Sequence, residues 1–196
     1  ELFTKVKQGE LSSALLLCRH NPVITLGRTA RPENILTSSE QLEQLKISTL
    51  KIERGGDVTY HGPGQLCVYP VINLNYLKKD INWYLRSLES LLLGVLAEFG
   101  IEAETRNGLT GIWAGTNKIA SIGIAIKNWI TFHGVSLNVK KNDLTNFSLI
   151  RPCGLDIIMT SMETLLREEV MFERVKEILI RRWYETSNFA GIGRGN

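Results

Sequence analysis

The feature that most constrains the fold is one long amphipathic segment set between two groups of short β-prone runs. Over 80–100, apolar residues recur every three or four positions, which is the period of an α-helix with one buried face. Asp80 is a residue type that caps helix N-termini, and Gly100 is typical of the position just beyond a helix C-terminus. A helix with a single apolar face needs a packing partner, so this segment predicts a helix lying on a sheet.

Short apolar or β-branched runs on both sides of this helix predict the strands of that sheet. They cover 15–18, 23–26, 48–52, 58–60 and 66–74 before the helix, and 101–105, 111–114, 119–126 and 129–139 after it. The first two runs are expected to flank a turn, and Lys127-Asn128 predicts a tight turn between the last two.

The remaining segments predict helices and loops. A short helix is expected over 38–46 and a polar loop over 140–152. Residues 160–163 resemble a capping box, and a second amphipathic helix follows with Met171/Phe172, Val175, Ile178/Leu179 and Trp183 on one face. The order predicts one α/β domain over 1–186, a mixed β-sheet flanked by helices, followed by a flexible Gly-rich tail over 187–196.

Composition excludes several classes of protein. A chain of 196 residues with 43% apolar residues and a net charge of +3 can bury a core, so intrinsic disorder is excluded. The mild charge does not demand a nucleic acid partner, and no apolar run approaches the ~18 residues of a membrane span. No signal-peptide pattern, metal-ligand motif or phosphate-binding loop is expected. Three widely spaced cysteines favour a reducing, cytoplasmic location.

Two residues are candidates for chemistry, each beside an ordinary structural explanation. Cys18 and Cys67 lie in apolar runs and are expected to be small core residues, whereas Cys153 lies in the irregular segment Arg151-Pro152-Cys153-Gly154 and is a candidate nucleophile. Lys118 is either a solvated lysine at a strand end or a neighbour of that thiol. The histidines His20, His61 and His133 are more often structural than catalytic.

The densest unusual stretch is 54–65, Arg-Gly-Gly-Asp-Val-Thr-Tyr-His-Gly-Pro-Gly-Gln. Its glycines allow positive φ or a close approach of the backbone to another group. Residue chemistry alone favours two turns around a short strand. The same arginine, histidine and exposed backbone could also line a small acyl or carboxylate pocket.

This stretch resembles the signature of the lipoyl(octanoyl) transferase family. Further segments agree in the same order: 20–28 (His-Asn-Pro-Val-Ile-Thr-Leu-Gly-Arg), 118–123 (Lys-Ile-Ala-Ser-Ile-Gly), 133–139, 152–155 (Pro-Cys-Gly-Leu) and 160–161. The resemblance runs from about 15 to 169, nearly the whole chain. It implies a fold similar to the catalytic fold of the biotin and lipoate protein ligases, with 1–186 as an octanoyltransferase catalytic domain.

The resemblance also implies an activity, its partners and its residues. Family members move an octanoyl or lipoyl group from acyl carrier protein to a lysine of a lipoyl domain, on 2-oxoacid dehydrogenase E2 subunits and the glycine cleavage H protein, without metal or cofactor. The family's acyl-carrying cysteine falls on Cys153 and its partner lysine on Lys118. The acyl-binding segments fall on Arg54, Gly55, Gly56, Asp57, Val58, Thr59, Tyr60, His61, Ser121, Ile122, Gly123, Gly134, Val135 and Ser136. Arg19 and Ala125 depart from the family pattern, which puts contacts with the carrier protein in question.

Two alternatives stay open from the sequence. One is an ATP-dependent lipoate or biotin ligase on the same fold, which predicts no essential cysteine. The other is a non-catalytic module that binds acyl carrier protein.

For the transferase, lowering the pKa of the cysteine thiol by ~2 units increases the thiolate fraction but reduces the nucleophilicity of the thiolate, so the net gain in rate is only a few-fold. Proton transfer is therefore the larger role expected of Lys118.

Overall fold

The computed structural model describes residues 1–152, 156–186 and 189. Its helices are α1 Leu2–Gln8, α2 Ser39–Gln44, α3 Ile81–Ala97, α4 Met162–Leu166 and α5 Phe172–Glu185. Its strands are β1 Ser13–Cys18, β2 Val23–Leu26, β3 Ser48–Lys51, β4 Val58–His61, β5 Gln65–Ile72, β6 Glu104–Arg106, β7 Leu109–Ala114, β8 Asn117–Lys127 and β9 Ile130–Asn138. Short 3-10 turns cover Pro32–Asn34, Leu74–Tyr76 and Leu144–Leu149. No helix in this described part of the chain is long and apolar enough to cross a membrane.

The strands form two sheets. The large sheet has the order β1-β5-β9-β8-β7-β6, and its neighbouring strands are all antiparallel. The small sheet has the order β3-β2-β4, with β2 parallel to β3 and antiparallel to β4. The predicted α/β class is confirmed. The two runs expected to flank a turn are β1 and β2, which are close in the chain but lie in different sheets. Residue patterns signal strands, and which strands pair is decided by long-range packing.

The predicted long helix is confirmed as α3, which packs with α5 on one face of the large sheet. The Asp80 carboxylate accepts the backbone N–H of Trp83 at 2.9 Å, and Gly100 adopts a φ of 70° just beyond the helix. Leucines and valines along α3 are buried against strand residues such as Val68 and Ile112. Of the predicted tail, only Phe189 belongs to the described residues. Its buried ring stacks on Trp183 with centroids 4.2 Å apart, so packing extends beyond residue 186.

A second core lies beneath the small sheet. Ile24, Val58 and Tyr60 contribute to it from β2 and β4, together with Leu42 of α2. The segment 140–152, predicted as a polar loop, contains the 3-10 turn Leu144–Leu149 and buries Phe147 and Ile150 in this core. These two apolar residues, rather than the polar composition around them, determine how the segment packs.

Several predicted boundaries are wrong for identifiable reasons. The tight turn between β8 and β9 is Asn128-Trp129, with φ of 54° and 61°, one residue later than predicted. Both central residues of such a turn need positive φ, and the pairing of Lys127 with Ile130 sets its position. The strand predicted at 101–105 covers only Glu104–Arg106, and α1 was not predicted.

The C-terminal helical region also differs from its predicted pattern. Ser161, rather than Thr160, caps α4, because its hydroxyl accepts the N–H of Thr164. Arg167 adopts a φ of 60° and ends α4, and α5 begins at Phe172. Met171 precedes α5 and is exposed instead of lying on its buried face.

Candidate functional site

A cavity of about 340 Å³ lies between the large sheet and the loop that leads into β4. Its floor is formed by small residues on the two central strands, Ser121 and Gly123 of β8 and Gly134 and Ser136 of β9. Residues 54–59 cover this floor, so we refer to them as the roof loop. The small floor residues leave between the sheets the space that larger side chains would fill.

Roof loop and floor are in direct contact at one side of the cavity. The backbone N–H of Gly55 donates to the carbonyl of Ile124 at 2.8 Å. A Cβ atom on Gly123 would lie 3.0 Å from Cδ of Arg54 and 3.3 Å from the Gly55 carbonyl oxygen. The absence of a side chain at position 123 therefore permits this close approach.

Arg54 and Asp57 hold the roof loop in place. The buried Arg54 guanidinium donates from Nη2 to the Thr25 carbonyl at 2.7 Å and from Nε to the Thr25 hydroxyl at 3.1 Å. The Asp57 carboxylate accepts the backbone N–H groups of Arg31 at 3.0 Å and Val58 at 2.8 Å. Both charged side chains thus tie the roof loop to β2 and to the segment that follows it.

Lys118 defines one end of the cavity. Its ammonium is buried, donates to the Thr110 carbonyl at 2.8 Å and lies 4.7 Å from the centroid of the Trp113 ring. A carbonyl acceptor and an aromatic face both stabilise a positive charge. The structure therefore supplies a cation at the edge of the space that the floor residues leave open.

The segment that follows Cys153 is bound to the backbone of Lys118. The Lys118 N–H donates to the Ile158 carbonyl at 2.8 Å, and the Thr160 N–H donates to the Lys118 carbonyl at 2.9 Å. Cys153 itself lies outside the described residues. The described residues near it, Pro152 and Ile157, both line the cavity.

The opposite side of the cavity carries histidine and tyrosine side chains. His61 is buried, and its Nδ1 lies 3.1 Å from Oε1 of Gln65. Burial lowers the pKa of His61 to about 4, with smaller contributions from nearby charges such as Arg54, so the ring is neutral near pH 7. Tyr69 also lines the cavity, and its hydroxyl lies 2.7 Å from Nε2 of His20. Burial raises the pKa of Tyr69 and lowers that of His20, so this pair is neutral as well.

All but one of the described residues predicted for the site line this cavity. The exception is Tyr60, whose ring packs edge-on against Phe147 in the second core and whose hydroxyl accepts from the Asn146 amide at 2.8 Å. The residues brought together are Lys118, Arg54, Gly55, Gly56, Asp57, Val58, Thr59, His61, Ser121, Ile122, Gly123, Gly134, Val135 and Ser136. That these residues bind an acyl chain stays a prediction.

Sequence reasoning missed other lining residues. They include Ile52, Tyr69, Leu85, Leu109, Thr110, Trp113 and His133. Of these, His133 begins the family segment 133–139 but is not predicted as a site residue, and the others carry no motif. The departures from the family pattern lie in ordinary packing positions: Arg19 covers the Phe172 ring at 4.7 Å, and Ala125 is buried on β8. Within the described residues, no group of three or more His, Cys, Asp or Glu side chains is arranged to hold a metal ion.

Comparison with known proteins identifies the family. The sequence profile described as the lipoyl protein ligase A/B catalytic domain matches residues 1–183. The chain belongs to this family. An octanoyltransferase from Caldicellulosiruptor saccharolyticus is 48% identical over 170 residues, covering 85% of this chain and 72% of that protein. An octanoyltransferase from Thermoanaerobacter sp. is 41% identical over 186 residues, covering 93% and 80%. Because these relatives are octanoyltransferases at 41–48% identity, this member of the lipoyl protein ligase A/B family is an acyltransferase.

Solved structures of the family share the fold. A lipoate-protein ligase A bound with ATP superposes with a TM-score of 0.76 at 18% identity, covering 94% of this chain and 78% of that one. A bipartite lipoate protein ligase from Thermoplasma acidophilum gives a TM-score of 0.76 at 17% identity, covering 94% and 76%. At this identity the likeness concerns the fold alone, and it confirms the predicted ligase-like architecture.

Proposed function

We propose that this acyltransferase moves an octanoyl group from an acyl carrier protein to a lysine of a lipoyl domain through a thioester on Cys153. Names of relatives at 41–48% identity support octanoyl transfer. The observation that supports the covalent route is the arrangement around Lys118. Its buried ammonium lies at the end of the cavity, and Pro152 and Ile157, which lie on either side of Cys153 in the chain, line that same cavity.

The first half of the reaction acylates the enzyme. The Lys118 ammonium first releases a proton to solvent; its amine then takes the proton from the Cys153 thiol, and the thiolate attacks the thioester carbonyl of the donor. A bond forms between the carbonyl carbon and Sγ, and the bond to the carrier's sulfur breaks. The departing thiolate then takes the proton from Lys118. The octanoyl chain occupies the cavity, over the floor residues and under the roof loop.

The second half transfers the group to the acceptor. The amine of the acceptor lysine attacks the carbonyl of the enzyme thioester and forms an amide. The bond to Sγ breaks, and the proton lost by the amine passes through Lys118 to the Cys153 thiolate. Exchange of one thioester for another is close to balanced, and conversion of a thioester into an amide is favourable. The reaction therefore requires no ATP.

The decisive experiment is acylation of the enzyme by donor alone. The full chain is mixed with octanoyl acyl carrier protein, without ATP or acceptor, and its intact mass is measured. We expect a gain of one octanoyl group, located on Cys153 by peptide mapping, and its loss when a lipoyl domain is added. An ATP-dependent ligase would acylate its acceptor only with ATP, and a non-catalytic module would gain no mass.

Substitutions of the three cysteines provide matched controls. Cys153→Ser should abolish both the mass gain and transfer. Cys18→Ser should retain them, because Cys18 lies on the edge strand β1 and is not among the residues that line the cavity. Cys67→Ala serves as the buried control, with stability checked separately, since loss of a buried side chain costs about 1 kcal/mol or more. Full activity of Cys153→Ser contradicts the covalent mechanism.

The finer assignments are part of the same proposal. The acceptors are the lipoyl domains of 2-oxoacid dehydrogenase E2 subunits and the glycine cleavage H protein, because these proteins carry the lysines that the family modifies. A cytoplasmic location fits the three widely spaced cysteines. Transfer assays with each purified acceptor test the first assignment directly.

A further inference from the structure

The end of the cavity opposite Lys118 is polar, although an octanoyl chain would bring only a methyl group there. Lys118 lies on β8, and Trp113 and Thr110 beside it lie on β7. At the other end, Tyr69 belongs to β5, and Nδ1 of His61 lies 3.7 Å from Sγ of Cys67 on β5. We refer to His61 and Tyr69 as the polar end.

The hydrogen-bond network fixes which nitrogen of His61 carries the proton. The Gln65 side chain donates from Nε2 to the Tyr60 carbonyl at 3.1 Å, so its Oε1 is the atom that faces His61. An amide oxygen only accepts, so Nδ1 of His61 must donate. Because the ring is neutral, Nε2 is left as a bare acceptor.

This acceptor is available to a group inside the cavity. Only 8% of His61 is exposed, and Nε2 has no hydrogen-bond partner among the residues that the structure describes. The residue lines the cavity. Because Nε2 is not fully enclosed by protein, it can accept a hydrogen bond from a group that occupies the cavity. The missing partner is a hydrogen-bond donor placed inside the cavity.

The spacing of the strands places this acceptor near the end of an eight-carbon chain. The Lys118 ammonium lies against Thr110 and Trp113 of β7, so three strand spacings, or about 14 Å, separate it from β5. An extended chain advances about 1.2 Å per bond, because the three backbone bonds of one extended residue span about 3.6 Å. The seven bonds from a carbonyl carbon to the eighth carbon therefore span roughly 8 Å. With a hydrogen bond of about 3 Å at each end of the chain, a donor attached at that carbon comes within reach of the polar end.

We propose that the polar end recognises acyl chains of about eight carbons that carry a hydrogen-bond donor, a hydroxyl or a thiol, at their far end. His61 accepts this hydrogen bond through Nε2, and Gln65 is a positioning residue that keeps the proton on Nδ1. The inference rests on the proposed function, since it assumes that the acyl chain enters the cavity with its carbonyl near Lys118.

The test compares two donors of equal size. Nonanoyl and 8-hydroxyoctanoyl groups, each loaded on acyl carrier protein, differ only by a methyl group in place of a hydroxyl. With an apolar end, burying the hydroxyl would reduce kcat/KM roughly 5- to 100-fold relative to nonanoyl. For the natural chain we expect the hydroxylated donor to be used at least as well as nonanoyl. A tenfold preference for nonanoyl overturns the proposal.

Two variants assign the effect to the residues named. His61→Phe replaces the acceptor by an apolar ring, and the ratio of hydroxylated to nonanoyl donor should fall roughly tenfold or more. Gln65→Met keeps the length of the side chain but removes the amide oxygen that holds the proton of His61 on Nδ1. The ratio of kcat/KM for the hydroxylated donor to that for nonanoyl should therefore fall several-fold. A purely structural role of Gln65 would reduce the rates of both donors together and leave their ratio unchanged.

The matched control is Thr110→Val, which makes a similar exchange at the Lys118 end while keeping the backbone carbonyl that binds Lys118. The ratio of hydroxylated to nonanoyl donor in this control should equal that of the natural chain. If His61→Phe also has the ratio of the natural chain, the proposal is overturned. Melting curves verify folding, and Gln65→Met carries the test if His61→Phe does not fold. Failure of the natural chain to transfer octanoyl at all would refute the proposed function instead.

Discussion

Lys118 shows how the surroundings of one side chain restrict its chemistry. The Thr110 carbonyl and the Trp113 ring hold its ammonium at the end of the cavity. For the proposed mechanism this ammonium must also release its proton, which an arginine does not do at any working pH. We therefore predict that Lys118→Arg lowers the single-turnover rate of octanoyl transfer by about 100-fold or more, close to the effect of Lys118→Ala.

Lys127→Arg is the matched control, because Lys127 lies at the other end of the same strand and is exposed. Its transfer rate should equal that of the natural chain. Near-normal turnover in Lys118→Arg, together with an inactive Lys118→Ala, would show that the charge alone is used and would refute proton transfer by Lys118.

The sequence predicts the composition of the site better than the direction of each side chain. The stretch 54–61 was expected to line the cavity as a whole, and most of it does. Within β4, however, successive side chains point to opposite faces. Thr59 and His61 face the cavity, whereas Tyr60 packs in the second core. Tyr69 and Trp113 were missed because a cavity assembled from distant strands leaves no local motif.

At the scale of elements, the two floor glycines have different surroundings. A Cβ on Gly134 would overlap the backbone carbonyl oxygen of Val68 on β5, which cannot move without displacing that strand. A Cβ on Gly123 meets mainly the Arg54 side chain at 3.0 Å. We predict that Gly134→Ala lowers the free energy of unfolding by about 2–3 kcal/mol and Gly123→Ala by about 1 kcal/mol or less.

Urea unfolding of the two variants beside the natural chain measures both values. Gly115→Ala is a useful third variant, because Gly115 has open space around it but a φ of 56°, and so reports the cost of backbone conformation alone. Equal losses in Gly134→Ala and Gly123→Ala would show that the backbone contact with β5 does not limit this position.

Elements with a strong period and clear ends were predicted well, and those fixed by tertiary contacts were not. The helix α3 has both a long apolar repeat and a capping residue. The Asn128-Trp129 turn has neither glycine nor proline, and its position follows from the pairing of Lys127 with Ile130. Local sequence does not encode that pairing register.

At the scale of the whole molecule, buried neutral histidines couple stability to pH. Burial holds the folded-state pKa of His61 at about 4, against an ordinary value of 6.5. The unfolded chain therefore binds a proton below pH 6.5 that the folded chain does not, and stability falls as pH decreases from 6.5 towards 4. Each pH unit in this window costs about 1.4 kcal/mol, so we predict a loss of about 2 kcal/mol between pH 6.5 and 5.

The variant His61→Gln isolates this contribution. Burial also lowers the pKa values of His20 and His133, so part of the slope should remain in the variant. Carboxylates titrate mainly below this interval and contribute little to it. Denaturant unfolding at several pH values gives the slope for each protein, and identical slopes would mean that His61 has the same pKa in the folded and unfolded chains.

The division of the strands between two sheets was beyond sequence reasoning. β1 and β2 are separated by a few residues, yet β1 pairs with β5 and β2 with β3 and β4. Each strand has an apolar character that suits either sheet. The choice is made by the two separate cores, one under α3 and α5 and the other under the small sheet.

The cavity over Gly123 and Gly134 is a space inside the protein that no side chain of the polypeptide fills. An acyl group on Cys153 would fill it, and in the unfolded chain the same group would be surrounded by water. Loading the enzyme therefore completes its interior, and the acyl-enzyme should unfold at a higher temperature than the free enzyme. Each 1 kcal/mol added to the free energy of unfolding raises the melting temperature by about 2–4 °C at this chain length. Melting curves of the free and acylated enzyme therefore measure how much the bound acyl group stabilises the fold.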